Sequence, residues 1–222
     1  MEERSKQLYA AITADIVGST AVYGETGRPI RPKLLEVLDA LNCRFRDELA
    51  VPLRITLGDE FQGLAKKPSA CPRIIYDARL HLSPLRCRFG VGIGMVVSGL
   101  ADTTLEMEGP AFSLSREALE VAKKQKGRLT VYRTEDRILE EAANTVSILI
   151  DIVQSAWTSK QWEAVRSYTA SGDLAAAGAD LGITPQAVSD RLRMTHWREI
   201  ADASHSLSHL LDYLVECSRH HA

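Results

Sequence analysis

Over the first 133 residues, short apolar runs broken by glycine alternate with longer stretches in which apolar residues recur with a helical period. The short runs predict β-strands, and the longer stretches predict amphipathic helices. The predicted strands cover residues 8–17, 53–57, 61–65, 87–98 and 129–132, and the predicted helices cover residues 30–49, 72–82 and 111–124. This order of elements, β-α-β-β-α-β followed by α-β, predicts an α+β domain with a ferredoxin-like core and an extension.

From residue 136 onward the pattern changes, because no strand is indicated any more. Apolar positions with helical spacing predict helices over residues 138–157, 161–169, 174–181, 185–194 and 200–217. We therefore expect three parts, which are an α+β domain over residues 1–135, a connecting helix over 136–158 and an all-α domain over 159–222.

The composition narrows the class of protein. With 222 residues, 45% of them hydrophobic, and a formal net charge of −2, the chain has an ordinary core and no overall positive field that attracts nucleic acid or membranes. The four cysteines form no CxxC pair, which favours buried thiols in a reducing compartment over a disulfide framework or a zinc site. The sequence shows no signal region and no bilayer-spanning apolar stretch, so we expect a cytoplasmic protein without a membrane partner.

Two aspartates stand out because each one follows an apolar run and lies close to a glycine. Asp15 lies near the end of the first predicted strand, and Asp59 follows Gly58 in the turn of a predicted hairpin. In a ferredoxin-like sheet the first strand is adjacent to this hairpin, so the two side chains can converge. Two carboxylates that converge can hold a divalent cation such as Mg²⁺ or Mn²⁺, which indicates phosphate chemistry or phosphate binding.

The residues after Asp15 predict a turn that faces a phosphate group. Backbone N–H groups around Gly18, Ser19 and Thr20 would point at such a ligand, and glycine permits a close approach of the backbone. A purely structural role stays open, because a lone aspartate at a strand end is commonly a turn or cap residue. A Gly-Asp turn is likewise a common hairpin device.

These segments resemble a known family. Residues 14–20 and 57–61 are similar to the metal-binding motifs of the class III nucleotide cyclase homology domain. Residues 89–99 and 109–116 resemble, in the same order, its glycine-rich strand and the entry to its third helix. The whole chain, including the helical tail, resembles the SatD family of bacterial proteins. The resemblance implies a ferredoxin-like, nucleotide cyclase-like N-terminal domain.

The cyclase resemblance also implies roles for individual residues. Asp15 and Asp59 would bind the metal, Ile16 would contribute a backbone carbonyl, and Glu106 would read the edge of a purine base. Cyclase-type sites form between two chains, so the resemblance implies a homodimer, for which the apolar stripe of the helix over 138–153 is a candidate interface.

Other positions depart from the cyclase pattern. Ile55 stands where the family has a base-reading lysine, Ser113 where it has an asparagine that acts in the transition state, and Glu117 where it has an arginine. Arg116 lies one residue before that position, so Ser113 and Arg116 are the remaining candidates for catalysis. A carboxylate opposite a transferring phosphate is unfavourable. These departures therefore favour nucleotide binding without efficient turnover.

Residues 173–192 resemble the helix-turn-helix of sigma-factor-like proteins and other bacterial regulators. Gly182 is placed to end the first helix, Thr184 to cap the second, and Pro185 to occupy its first position. The candidate DNA-contacting residues on the second helix are Gln186, Ser189, Asp190, Arg191 and Arg193. Between residues 159 and 222, six basic residues face eight acidic ones, so a helix-turn-helix that serves only dimerisation or protein contacts stays open.

Together these patterns support a ligand-responsive DNA-binding regulator whose partners are a purine nucleotide, DNA and a second copy of the chain. The first alternative is an enzyme, either a divergent nucleotide cyclase or another nucleotidyl transferase. The second alternative is a scaffold with a dead site that contacts other proteins.

Overall fold

The computed structural model describes residues 7–18 and 29–220, without the side chains of residues 214 and 218–220. It contains one five-stranded sheet with the strand order β2-β3-β1-β4-β5. The strands are β1 (Tyr9–Ile16), β2 (Leu49–Leu57), β3 (Glu60–Ala65), β4 (Cys87–Gly94) and β5 (Thr130–Thr134). Neighbouring strands are antiparallel except β4 and β5, which are parallel. The predicted α+β class and the position of β1 beside the β2–β3 hairpin are thereby confirmed.

Helices cover both faces of the sheet. The first three are α1 (Ile30–Arg44), α2 (Cys71–Leu82) and α3 (Pro110–Lys124). Helices α1 and α2 share a core with Ile12 and Phe89 on one face, whereas α3 packs through Phe112 against Ala11 on the other face. This division follows from the strand period of two, which sends neighbouring residues of β1 to opposite faces.

The backbone of α3 lies directly on β4, and glycine makes this contact possible. A Cβ atom at Gly92 would lie 2.1 Å from the carbonyl oxygen of Ala111, and one at Gly90 would lie 2.2 Å from that of Ser115. The hydroxyl groups of Thr13 and Ser115, 2.8 Å apart, join α3 to β1 at the same level. Helix α3 therefore runs along the sheet in a fixed register.

The rest of the chain is helical. It consists of α4 (Arg137–Ser155), α5 (Ser159–Ser171), α6 (Leu174–Leu181), α7 (Pro185–Arg193) and α8 (Trp197–His220). Asp136 caps α4 by accepting hydrogen bonds from the N–H groups of Ile138 and Leu139. Thr158 and Gln161 form a capping box at the start of α5, so short polar segments set the helix boundaries.

The last helix connects the two parts of the chain. Ala177, Val188 and Leu192 belong to a second core between α5, α6 and α7. Leu207 and Leu211 of α8, in contrast, belong to the core beneath the sheet. The division into domains at 135 and 158 stays a prediction, and α8 packs across it. Within the described residues, no helix combines the length and the apolar composition needed to cross a lipid bilayer.

The largest differences from the predicted boundaries are at the end of α1, the start of β2 and the end of β4. Helix α1 ends at Arg44 rather than at residue 49, because Leu49 already begins β2, and the side chain of Asn42 hydrogen-bonds both backbone groups of Leu53. Strand β4 ends at Gly94 rather than at residue 98. Its pairing with β1 ends there too, opposite Tyr9, the first residue of β1.

Candidate functional site

The end of β1 carries the first candidate residue, Asp15. The antiparallel register places Asp15 opposite Arg88 of β4, and Nη1 of Arg88 lies 3.2 Å from Oδ2 of Asp15. The Asp15 side chain is 14% exposed, and that of Arg88 is 25% exposed. Ile16 is buried in the core on the opposite face, so Asp15 points toward the side of the sheet that α3 covers.

The two oxygens of Asp15 have different surroundings. Oδ1 is buried, and it has no hydrogen-bond partner within the described part of the chain. Burial, the largest cause, raises the pKa of the Asp15 carboxyl above its usual value; Arg88 and Lys123 lower it, and Asp59 raises it further. The site therefore holds a carboxylate whose negative charge is only partly compensated.

Asp59 reaches the same end of the sheet through the β2–β3 turn. Gly58 adopts a left-handed conformation with φ +60°, which lets the chain reverse between Leu57 and Glu60. Phe61 pairs with Ala14, so the antiparallel register brings Asp59 beside the last residue of β1, Ile16. The predicted metal-binding residues Asp15, Ile16 and Asp59 thus lie at one edge of the molecule.

These residues fit a divalent cation. An unpartnered carboxylate oxygen, a second carboxylate and a backbone carbonyl are oxygen donors of the kind that Mg²⁺ and Mn²⁺ prefer. No group of three or more His, Cys, Asp and Glu side chains that could hold a metal occurs among the residues that the structure describes. The protein would therefore supply only part of a coordination shell, which suits a cation that arrives with a phosphate ligand.

Two basic residues at this site, Arg88 and Lys123, are not among the candidate site residues predicted from the sequence. Lys123 lies in the last turn of α3, where it pairs with Glu120 at 3.0 Å. Strand register was the available signal for Arg88, since it is the residue of β4 that pairs with Asp15. Two positive side chains beside Asp15 favour an anionic ligand such as a phosphate group.

The candidate catalytic residues lie elsewhere in the chain. Ser113 and Arg116 belong to the first half of α3, which lies over Gly92, whereas Lys123 at the other end of α3 lies near Asp15. The Ser113 hydroxyl donates a hydrogen bond to the carbonyl of Pro110, at 3.1 Å. A single chain therefore does not bring Ser113 and Arg116 to Asp15.

The candidate nucleotide-binding residues are only partly described. Gly18 has φ +68°, and a Cβ atom there would meet no heavy atom within 4 Å, so its conformation rather than tight packing favours glycine. Ser19 and Thr20 lie outside the described residues. Glu106 is exposed in a short helical turn before α3, at the end of the sheet far from Asp15.

Helices α6 and α7 are joined by a short turn at residues 182–184, with Gly182 in the left-handed conformation and Thr184 as the N-cap of α7. On α7, Oδ1 of Asp190 accepts hydrogen bonds from Gln186 at 3.3 Å and from Arg193 at 3.2 Å. The remaining candidates, Ser189 and Arg191, are half-buried. Asp190 thus compensates a positive charge on this face, and the assignment of these helices to a DNA-binding helix-turn-helix domain stays a prediction.

Comparison with solved structures finds nucleotide cyclases. A bacterial light-regulated adenylyl cyclase has 15% identity and a TM-score of 0.43, and the match covers 68% of this chain and 81% of that chain. An adenylate cyclase from Trypanosoma brucei has 14% identity and a TM-score of 0.41, with 55% and 71% coverage. A regulator of polyketide synthase expression from Bifidobacterium adolescentis has 13% identity and a TM-score of 0.28, with 91% and 80% coverage. Likenesses of this extent carry no argument about activity.

Comparison with protein families gives the clearer result. No curated protein sequence matches the chain. The model of the SatD family matches residues 9–193, which include the whole sheet and the helices up to α7. The chain therefore belongs to the SatD family.

Proposed function

We propose that this protein binds a purine nucleotide together with Mg²⁺ or Mn²⁺ at Asp15, Ile16 and Asp59, without efficient turnover. The observation that carries the proposal is Oδ1 of Asp15, which is buried near a second carboxylate and has no hydrogen-bond partner among the described residues. A bound cation would supply the positive charge that this oxygen lacks and would attract the phosphates of the nucleotide. Arg88 and Lys123 would attract the same phosphates from the protein side.

The positions that depart from the cyclase pattern support binding rather than turnover. Ile55 has no hydrogen-bond donor for a base and is partly buried against the core. Glu117 brings a negative charge where the resemblance calls for a positive one, which would oppose charge development on a transferring phosphate. Ser113 and Arg116 could meet the Asp15 site only if a second copy supplied them, which supports a homodimer.

We further propose that nucleotide binding changes how the α6–α7 pair contacts DNA. Helix α8 supports this coupling, since it begins next to α7 and then packs beneath the sheet through Leu207 and Leu211. A displacement of α8 beneath the sheet would thus also displace its first residues, which lie next to α7. Gln186 and Arg193 now donate hydrogen bonds to Asp190. They would contact DNA when acceptor groups of the DNA replace Asp190 in these bonds.

Isothermal calorimetry of the full chain with ATP and GTP, each with Mg²⁺ or Mn²⁺, tests the nucleotide proposal. We expect binding that requires the cation and is lost in Asp15→Asn. The matched control is Asp39→Asn, which changes an exposed aspartate on α1. If neither nucleotide binds, the regulator and enzyme hypotheses both fail, and the scaffold alternative gains.

An assay for cyclic nucleotide and pyrophosphate separates a sensor from an enzyme. Product formation that disappears in Asp15→Asn would favour the divergent cyclase or transferase. A gel shift at low salt, with and without nucleotide, tests the DNA step. No retardation at micromolar protein under either condition would remove DNA from the proposal.

A further inference from the structure

A cavity of about 110 Å³ lies where the sheet meets the helical part. Its walls come from the loop before β4, the end of α4 and the start of α5. The charged, polar and tryptophan side chains relevant to ligand binding are Arg79, Arg86, Gln154, Trp157, Ser159 and Trp162. It lies at the same end of the sheet as Asp15, because Cys87, which also lines it, pairs with Ile16.

Two of these side chains carry buried donors with no acceptor. Arg79 is 6% exposed and Gln154 is 3% exposed. Nη1 of Arg79 donates to Oε1 of Gln154 at 2.8 Å, yet Nε of Arg79 and Nε2 of Gln154 have no hydrogen-bond partner in the described chain. Buried donors without acceptors cost free energy, so a pair of them beside a cavity needs an acceptor, which either water or a bound anion can supply.

The charge around the cavity favours an anion. Asp151 neutralises Arg79 through an ion pair of 2.6 Å, but Arg86 adds a second guanidinium. No acidic side chain is present among the described residues that line the cavity. Ser159 is the first residue of α5, so the positive end of that helix also lies at the wall.

We propose that this cavity binds a phosphate group, either as free phosphate or as the phosphate of a small monoester. Arg86 and the start of α5 contact its oxygens from the open side. The unpartnered donors of Arg79 and Gln154 are satisfied from the buried side after a small rotation of the Gln154 amide. Trp162, which packs against Trp157 with ring centroids 4.5 Å apart, is placed to cover the rest of a monoester.

The size of the cavity supports this ligand class. At about 110 Å³ the cavity has room for a phosphate group, and it is well below the roughly 300–1,000 Å³ of pockets that enclose drug-sized ligands. A second cavity, which Arg79 and Gln154 also line, has only about 20 Å³ and suits one water. Neither Asp15 nor Asp59 lines this cavity, so its residues differ from those of the proposed metal site.

Tryptophan fluorescence tests the proposal, since Trp157 and Trp162 both line the cavity. The full chain is titrated with inorganic phosphate and with phenyl phosphate in EDTA, and sodium chloride of equal ionic strength is the reference. We expect a saturable change with phosphate that sodium chloride does not cause. Asp15→Asn should bind phosphate as the unaltered chain does, which separates this site from the nucleotide proposal.

Gln154→Glu is the sharpest variant. It keeps the oxygen that accepts from Arg79, removes the unpartnered N–H groups and adds a negative charge, so we expect the dissociation constant to rise at least about tenfold. Arg86→Gln, at an exposed position, should raise it by about three- to tenfold. Arg46→Gln removes an exposed guanidinium that does not line the cavity, and it should change nothing.

The outcomes divide clearly. Equal affinity for the two probes would identify a free-phosphate site, and tighter binding of phenyl phosphate would identify a monoester site that uses Trp162. No saturable change, or the same dissociation constant in Arg86→Gln as in Arg46→Gln, would overturn the proposal. Thermal melts establish that each variant is folded, and Arg86→Gln alone decides if Gln154→Glu does not fold.

Discussion

Asp15 and Asp151 are both largely withdrawn from solvent, and their surroundings are opposite. Asp151 of α4 is fully buried, and both of its oxygens have partners. Its Oδ1 accepts from Arg79 at 2.6 Å, and its Oδ2 accepts from the backbone N–H groups of Leu129 and Thr130, both at 2.7 Å. Asp15 has Arg88 on one oxygen and no hydrogen-bond partner among the described residues on the other.

This difference indicates a structural role for the carboxylate of Asp151 and leaves the carboxylate of Asp15 available to a ligand. Asp151 connects α4 to the start of β5 and to α2, so both of its oxygens take part in contacts between elements of the fold. Asp15 has one oxygen without a hydrogen-bond partner among the described residues, so this oxygen is open to a ligand. Substitution of Asp151 should therefore cost stability, and substitution of Asp15 should cost binding.

The largest expected effect is on stability. Asp151→Ala leaves Arg79 buried without its ionic partner, so we expect the free energy of unfolding to fall by about 3–5 kcal/mol. Urea unfolding followed by circular dichroism measures this change. Asp39→Ala, at an exposed site on α1, should stay within about 0.5 kcal/mol of the unaltered chain. An equally small effect of Asp151→Ala would break the comparison.

Asp15→Asn should weaken nucleotide binding without a loss of stability. The folded protein raises the pKa of Asp15, so the charged form costs stability at neutral pH, and this cost vanishes as pH falls below the usual value of 3.8. We expect Asp15→Asn to melt at a temperature equal to or above that of the unaltered chain at pH 7, while nucleotide affinity in Mg²⁺ falls at least about tenfold. A clear loss of thermal stability at pH 7 would show that Asp15 is structural.

The pH dependence of cation binding tests whether the cation binds at Asp15. A cation competes with the proton for Asp15, and the raised pKa makes this competition begin above pH 3.8. Calorimetric titrations of Mn²⁺ should therefore show an affinity that is constant at neutral pH and falls on acidification, by about tenfold per pH unit once the carboxyl is protonated. A constant affinity down to pH 4 would place the cation elsewhere.

The smallest expected effect concerns an exposed carboxylate, Asp190. Because Asp190 engages both Gln186 and Arg193 on the surface of α7, Asp190→Asn should tighten DNA binding by about two- to fivefold at low salt. Fluorescence anisotropy with labelled duplex DNA measures this change, and Asp202→Asn on α8 is the matched control for net charge. Equal effects of the two variants would mean that α7 does not contact the DNA.

The sequence predicted the order of the elements well, because buried strands and amphipathic helices leave strong periodic patterns. It also predicted that Asp15 and Asp59 lie at one end of the sheet, since β1 and the β2–β3 hairpin are neighbours in a ferredoxin-like order. The boundaries near residues 44–49 and 94–98 were less accurate. They depend on tertiary bonds such as that between Asn42 and Leu53, which local patterns do not contain.

Partners across the fold were not predictable in the same way. Arg88 lies opposite Asp15 only through the exact register of β1 and β4, and Arg79 meets Asp151 across 72 residues of chain. A weak signal existed for Arg79, because Ile75 and Leu82, about one helical turn before and after it, place this charged residue on a buried face of α2. Such a residue indicates a buried partner, but it does not say which one.

The central claim is that the open oxygen of Asp15 holds a divalent cation. Electron paramagnetic resonance of Mn²⁺ tests this directly, since it measures the free ion as protein is added. We predict that the unaltered chain removes free Mn²⁺ with one site per chain and that Asp15→Asn does not, whereas Asp39→Asn behaves as the unaltered chain does. Undiminished Mn²⁺ binding by Asp15→Asn, or none by the unaltered chain, would contradict the account.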